Sequence, residues 1–139
     1  MPELATLQLD KIGALLAERG YEISNPEPHI LTIREVGSGI AMEAVLEENI
    51  LFLSLPCATV APSAITPEVM RTMLAADNGI STSHFQLYDT RDGKVLVSLN
   101  NFCKLQELGN DDEDDILSCV HFLLVDVIEA RTLLGSALA

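Results

Sequence analysis

The sequence predicts an α+β fold, in which a small antiparallel sheet is flanked by helices in the order α-βββ-α-ββ-α. Three observations support this class. Apolar residues recur at helical spacing near both ends of the chain, segments rich in β-branched residues lie between them, and a helix signal at Thr66 to Asn78 separates two groups of strand segments. At 139 residues, the chain fits one domain over residues 1–139 that buries a core without disulfides or metals.

The first element is predicted to be an amphipathic helix from Pro2 to Arg19, which ends at Gly20. Its apolar residues cluster on one side: Leu4, Leu7, Ile12, Leu15 and Leu16. A short extended segment from Tyr21 to Ser24 follows the helix. The two prolines in Asn25 to Pro28 then predict a turn or an irregular linker.

Three consecutive strands are predicted after this linker. Ile30 to Val36 and Ile40 to Leu46 are expected to form a hairpin around the turn at Gly37 to Gly39. The third strand, Ile50 to Pro56, is apolar on both sides, which indicates a strand that is covered on both faces or that faces a partner. The segment from Cys57 to Ile65 contains proline, alanine and serine, and it is predicted to be a loop.

The helix between the two strand groups is predicted from Pro67 to Asp77. Thr66 can accept a backbone N–H bond as the N-cap, Pro67 suits the first helical position, and Glu68 complements the positive end of the helix dipole. The apolar stripe of this helix is formed by Val69, Met70, Met73 and Leu74.

The second strand group is a predicted hairpin, because Ser83 to Asp89 and Lys94 to Leu99 flank a turn with Asp-Gly at its end. The apolar periodicity of Asn100 to Gly109 is weak, so this segment is compatible with a loop, a short strand or a turn of helix. The acidic run Asn110 to Asp115 suits a helix N-terminus, and the apolar spacing after it predicts a terminal helix of roughly 20 residues.

Composition excludes several kinds of partner. The formal charge is −13, which repels polyphosphate and anionic lipid, so nucleic-acid and membrane binding are disfavoured. Aromatic residues make up 4% and there is no Trp, which argues against stacking platforms for bases. An acidic surface suits basic or aggregation-prone partners, but it is also a common solubility feature without any partner.

The three cysteines, Cys57, Cys103 and Cys119, are odd in number and far apart, so neither a disulfide framework nor a zinc site is expected. A reducing cytoplasm fits this pattern best. We expect neither a secretory signal nor a membrane span, because no basic segment precedes an apolar run and all apolar runs are short.

No catalytic, metal or cofactor motif is recognised. The acidic run lacks the spaced ligands and central glycine of a calcium loop, and Gly37 to Gly39 lacks the Lys-Ser/Thr pair of a phosphate loop. Cys119 and His121 lie two residues apart on a predicted helix and therefore point to different sides. We expect no cofactor and no enzyme activity, with scattered polar residues brought together by folding as the remaining enzymatic alternative.

Apolar surface is the remaining functional feature. Exposed apolar strips on a sheet or a helix can hold a partly unfolded peptide by strand addition or groove packing, or they can be buried between two copies of the chain. The candidate partner or dimer surface consists of Phe52, Leu53, Val69, Met70 and Met73. Their alternative role is ordinary core packing, which is the commoner use of a methionine stripe.

The element order resembles that of type III secretion chaperones of the Tir-chaperone kind and of YbjN-like proteins. The resemblance covers essentially the whole chain and rests on Met73 to Leu99, where a helix ending in Ala-Ala-Asp-Asn leads to a Phe-x-Leu strand and a turn. It implies an α+β sandwich that dimerises and wraps a segment of a client protein around its surface without hydrolysing ATP. The Cys57 to Ile65 segment departs from the pattern, and the resemblance transfers no residue-level client site.

The sequence therefore predicts a non-enzymatic, cytoplasmic, homodimeric protein that holds a peptide or protein client on its sheet and helix surfaces. The alternative is a regulatory or adaptor module of the YbjN-like type that binds a folded partner.

Overall fold

The structure is a computed structural model that describes the backbone of residues 2–106 and 110–138, and the side chains of residues 8–106 and 112–135. The helices are α1 (Pro2–Glu18), α2 (Pro67–Leu74) and α3 (Asn110–Leu138), with a short 3-10 helix at Pro62–Ala64. The strands are β1 (Glu22–Glu27), β2 (Ile30–Arg34), β3 (Ala41–Glu47), β4 (Ile50–Val60), β5 (His84–Asp89) and β6 (Val95–Lys104).

These six strands form one sheet in the order β1-β2-β3-β4-β6-β5. The pairs β1–β2, β2–β3, β3–β4 and β5–β6 are antiparallel. The predicted α+β class, with a sheet flanked by helices, is confirmed. Both predicted hairpins are present, because β2 pairs with β3 and β5 pairs with β6.

Four strands precede α2, so the prediction of three was wrong. The additional strand, β1, runs from Glu22 to Glu27 through Pro26, where the sequence predicted a turn or linker. The pairing register shifts between Ser24 and Glu27, which marks a bulge or irregularity. β1 is an edge strand, where a residue that lacks a backbone N–H is tolerated.

β4 extends to Val60, although the segment from Cys57 was predicted to be a loop. Cys57 and Val60 are partly buried against a core cluster, so packing outweighs the weak strand signal of this segment. β6 likewise continues past Leu99 to Lys104. The first half of the segment from Asn100 to Gly109, for which the sequence left three structures open, is therefore a strand.

The helices differ from prediction mainly in length. α2 ends at Leu74 instead of Asp77, because Ala75 is extended and the Asn78 side chain donates to the Met73 carbonyl at 2.6 Å. α3 has 29 residues, longer than the predicted 20 or so. The Thr66 cap is confirmed, since its Oγ1 accepts a hydrogen bond from the Val69 N–H at 3.2 Å.

The chain forms two compact units, each built from two segments. Unit 1 comprises Met1–Ser54 and Phe102–His121, and unit 2 comprises Leu55–Asn101 and Phe122–Ala139. The single domain over residues 1–139 stays a prediction.

The core of unit 1 lies between α1 and one face of the sheet. α1 contacts β1, β2 and β3, and Gly13 makes a close approach possible. A Cβ built on Gly13 would lie 3.1 Å from Leu31 Cδ1 and 3.2 Å from Ile23 Cγ2. Other buried residues of this unit include Leu9, Ile12, Leu16, Ile33, Met42, Leu51, Leu53 and Ile116.

The core of unit 2 includes a cluster around α2. Its buried members are Val69, Met73, Val97 and Leu134. Phe85 of β5 is partly buried against the same cluster. α2 is therefore held in place by its Val69 and Met73 side.

Candidate partner-binding surface

Two of the five candidate surface residues are exposed and three are buried. Phe52 is 41% exposed and Met70 is 38% exposed. Leu53, Val69 and Met73 are 1%, 4% and 5% exposed, so their side chains pack in the core, which is the alternative role that the sequence predicted for these residues. Whether Phe52 and Met70 contact a partner stays a prediction.

Backbone periodicity explains this division. Successive strand residues point to opposite faces, so Leu53 joins the core when Phe52 faces outward. On α2, Val69 and Met73 are four residues apart and share the buried side, whereas Met70 points away from it. Because both faces of β4 and both sides of α2 carry apolar residues, the sequence did not show which of these residues would be buried.

An apolar row crosses the outer face of the sheet in unit 1. Val45 of β3 is the cross-strand partner of Phe52 on β4. The rings of Phe52 and Phe102 have centroids 6.5 Å apart and planes inclined at 45°. Phe102, on β6, is 61% exposed. We call Val45, Phe52 and Phe102 the apolar row.

Phe102 was not recognised from the sequence, because it lies in the segment whose structure was left open. The strand alternation of Leu99, Asn101 and Cys103 on one side and Phe102 on the other was the available signal. An exposed aromatic pair of this kind is a common anchor in protein interfaces.

Carboxylates lie beside the apolar row. Glu43 and Glu47 are exposed, and each is two residues from Val45 on the same face of β3. Neither is paired with a basic side chain in the part of the chain that the structure describes. The close contacts between acidic and basic side chains there are Arg34–Glu22 at 2.8 Å and His29–Glu27 at 3.3 Å. Lys104 is exposed on the same face of β6 as Phe102.

Charge is unevenly divided between the two units. Fifteen of the 21 acidic residues, but four of the eight basic ones, belong to unit 1. Most of the net negative charge therefore belongs to the unit that carries the apolar row. Unit 2 is nearly balanced in charge. Of the exposed large apolar side chains among residues 8–106 and 112–135, most belong to unit 2: Met70, Leu74, Leu87, Tyr88, Phe122, Val125 and Ile128.

A polar network occupies the outer face of β5 and β6 in unit 2. Asn100 Nδ2 donates to Tyr88 Oη at 2.9 Å and also to the Gln86 side-chain oxygen. Tyr88 donates to Gln86, and Ser98 Oγ donates to Asn100 Oδ1 at 3.2 Å. These mutual bonds satisfy side chains that β6 buries, which accounts for the network without a chemical role.

The three cysteines are thiols. Burial raises the pKa of Cys57 to about 11, although the nearby Arg131 guanidinium opposes the rise. In unit 1, a hydrogen bond between Cys103 and Cys119 raises the pKa of Cys103 and lowers that of Cys119. Cys119 Sγ also lies 3.7 Å from the Phe102 carbonyl oxygen, so it belongs to the packing between α3 and β6.

A pocket of about 130 Å³ in unit 1 is lined by Lys11, Ile12, Leu15, Glu113 and Ile116. It is smaller than the roughly 300–1,000 Å³ of typical small-molecule sites. The described residues contain no group of three or more His, Cys, Asp or Glu side chains placed to hold a metal ion. Within the same residues, every helix is too short or too polar to cross a membrane.

No family model matches the chain, and no curated protein matches it. Among the solved structures that are similar in fold are the following two. One is the crystal structure of YbjN, a candidate transcription regulator from E. coli, with a TM-score of 0.69, 18% identity and coverage of 93% of this chain and 91% of that one.

The second is a chain of the heterodimeric complex ExoU–SpcU from the type III secretion system of Pseudomonas aeruginosa. Its TM-score is 0.58 at 17% identity, with coverage of 88% of this chain and 96% of that one. Identities this low establish the fold alone. The fold of this chain is similar to that of YbjN and to that of a chain of the ExoU–SpcU complex, as the resemblance in element order predicted.

Proposed function

We propose that this protein is a non-enzymatic, chaperone-like module that binds a segment of a client protein on the outer face of its sheet. The observation that supports this most directly is the exposed pair Phe52 and Phe102, whose ring centroids lie 6.5 Å apart. Large aromatic side chains are costly to leave in water and are typical of interface centres.

The structural neighbours support a protein-binding role. SpcU forms a complex with the protein ExoU, and the similarity to a chain of that complex extends over most of both chains.

Affinity capture from the native cells tests this function. The tagged protein is compared with the double variant Phe52→Ala and Phe102→Ala, and retained proteins are identified by mass spectrometry. We expect one dominant client that is lost or strongly reduced with the variant, and a client segment that resists protease only in the complex. The control is Val36→Ala, which removes an exposed apolar side chain from the turn between β2 and β3.

Two results would contradict the proposal. Equal recovery of the client by the native protein and the double variant would remove the aromatic pair from the binding surface. The absence of any specific client would remove the chaperone-like role itself.

A regulatory or adaptor role is the second candidate, because the YbjN structure has the higher TM-score of the two. This role predicts a partner that is folded before binding. Limited proteolysis of the captured partner distinguishes the two roles: a chaperone protects a segment that is cleaved readily when free, whereas an adaptor leaves the cleavage pattern of a folded domain unchanged.

We further propose that the protein is a homodimer in a reducing compartment such as the cytoplasm. The support is the low net charge of unit 2 and the exposed Val125 and Ile128 on α3, which two copies could bury without bringing together many carboxylates. Light scattering should give twice the chain mass of 15.1 kDa.

Replacing Ile128 by Glu should lower this mass towards that of one chain, whereas Val36→Glu should leave it unchanged. A native mass near 15.1 kDa would contradict the dimer. A native dimer that Ile128→Glu leaves intact would remove α3 from the interface.

A further inference from the structure

The two ends of the apolar row differ in charge. At the β3 end, Val45 lies between Glu43 and Glu47, and both carboxylates are exposed. At the β6 end, Lys104 lies two residues from Phe102 on the same face. Among the described residues, a ligand that crosses the row therefore meets the carboxylates of Glu43 and Glu47 at one end and the ammonium group of Lys104 at the other.

The spacing of the row suits an extended chain. Side chains two residues apart in an extended segment lie on one side, about 6.6 Å from each other. The centroids of Phe52 and Phe102 are 6.5 Å apart. An extended segment that crosses β6 and β4 can thus place one apolar side chain over each ring, and its next side chain on that side reaches Val45.

The carboxylates decide the chemistry of that third side chain. Glu43 and Glu47 flank Val45 without a basic partner among the described residues, so a Lys or Arg there gains two charge-assisted contacts.

A second copy of this chain is a poorer occupant. Its own face would bring another Glu43 and Glu47 towards the same region, and unit 1 holds fifteen of the 21 acidic residues. Like charges brought together in this way oppose association.

We infer that the apolar row binds an extended client segment with apolar side chains at positions i and i+2 and Arg or Lys at position i+4, oriented with the basic residue over β3. This inference rests on the proposed function and specifies the client that the surface selects.

Fluorescence anisotropy with synthetic peptides tests the inference on the full-length protein. One labelled peptide repeats Leu-Thr-Leu-Thr-Arg, and its matched control has Glu in place of each Arg. The Arg peptide should bind, its affinity should fall as salt rises, and the Glu peptide should bind at least about tenfold more weakly.

Two double variants separate the contribution of the carboxylates to peptide binding from that of the aromatic rings. Glu43→Gln with Glu47→Gln should weaken the Arg peptide about three- to tenfold and leave the Glu peptide no weaker. Phe52→Ala with Phe102→Ala should weaken the Arg peptide about tenfold or more. The charge-matched control is Asp10→Asn with Glu18→Gln, which removes two exposed carboxylates from α1 on the opposite side of the sheet.

Circular dichroism checks that each variant is folded, which we expect because all the replaced side chains are exposed. Equal binding of the Arg and Glu peptides, or unchanged binding by both double variants, would overturn the inference. So would the absence of peptide binding to the native protein. Affinity capture of the client is a separate test. If a client segment is captured and protected from protease but the peptide experiments fail, the proposed function stands and only the inferred sequence of the client segment is rejected.

Discussion

The Asp126 carboxylate on α3 binds Thr82 through both the backbone and the side chain of that residue. Asp126 Oδ2 accepts hydrogen bonds from the Thr82 N–H at 3.2 Å and from Thr82 Oγ1 at 2.7 Å. Ser83 Oγ donates to the same oxygen at 2.8 Å. The Asp126 side chain is buried, so this one carboxylate fixes the segment that leads into β5.

Replacing Asp126 by Ala should lower the free energy of unfolding by about 2–3 kcal/mol, because three donors lose the carboxylate acceptor that they share, and hydrogen bonds to a charged group are stronger than neutral ones. Urea denaturation followed by circular dichroism measures the change. The control is Asp77→Ala, an exposed position where we expect a change within about 0.5 kcal/mol. Equal stability of the two variants would show that these bonds contribute no net stability.

The two helical glycines Gly13 and Gly135 should respond differently to Ala. Around Gly135 there is open space, so Gly135→Ala should raise the free energy of unfolding by up to about 1 kcal/mol through helix propensity. At Gly13 the new Cβ would lie 3.1 Å from Leu31 Cδ1, so crowding should offset that gain. We expect Gly13→Ala to be less stable than Gly135→Ala by about 1–2 kcal/mol. Equal gains in thermal unfolding experiments would show that α1 moves away from the sheet without cost.

Two methionines on α2 provide a matched pair for testing which side of this helix is the core. Met73→Asp should destabilise unit 2 by about 3 kcal/mol or more, because it places a charge in the cluster with Val97 and Leu134. Met70→Asp should change stability by less than about 1 kcal/mol, since Met70 is exposed. Chemical denaturation measures both. A folded Met73→Asp protein with altered mass in light scattering would instead make α2 an interface helix.

The thiols should differ in reactivity with iodoacetamide, because the thiolate is the reactive form. At pH 8, Cys119 should be labelled before Cys57, since hydrogen bonding from Cys103 lowers the pKa of Cys119 while burial raises that of Cys57 to about 11. Cys57 labelling should increase as the pH rises from 9 towards 11. Peptide mass spectrometry measures the labelled fraction at each site.

The Arg131 guanidinium favours the Cys57 thiolate, so it provides a control. Arg131→Met should raise the pKa of Cys57 further and slow its labelling at a given pH, with the rate at Cys119 unchanged. Labelling of Cys57 as fast as Cys119 in the native protein at pH 8 would contradict both expectations.

The sequence by itself determined the fold class and the centre of most elements. These features depend on local signals: the Thr66 cap and Pro67 start α2, the Asp-Gly pair ends the turn before β6, and helical spacing of apolar residues marks α3. Such signals act over a few residues, so the order of helices and strands could be predicted. The element ends could not, because Asn78 ends α2 through a side-chain bond and β4 continues to Val60 through packing.

Only the tertiary structure decided which apolar residues face water. Phe52 and Leu53 are adjacent in the same apolar segment, yet the packing of unit 1 buries Leu53 and exposes Phe52. The apolar row required the pairing of β3 with β4 and the ring contact to Phe102, fifty residues along the chain. The physical reason is that a candidate binding surface depends on contacts between distant segments, whereas helices and strands are specified largely by residues close together in sequence.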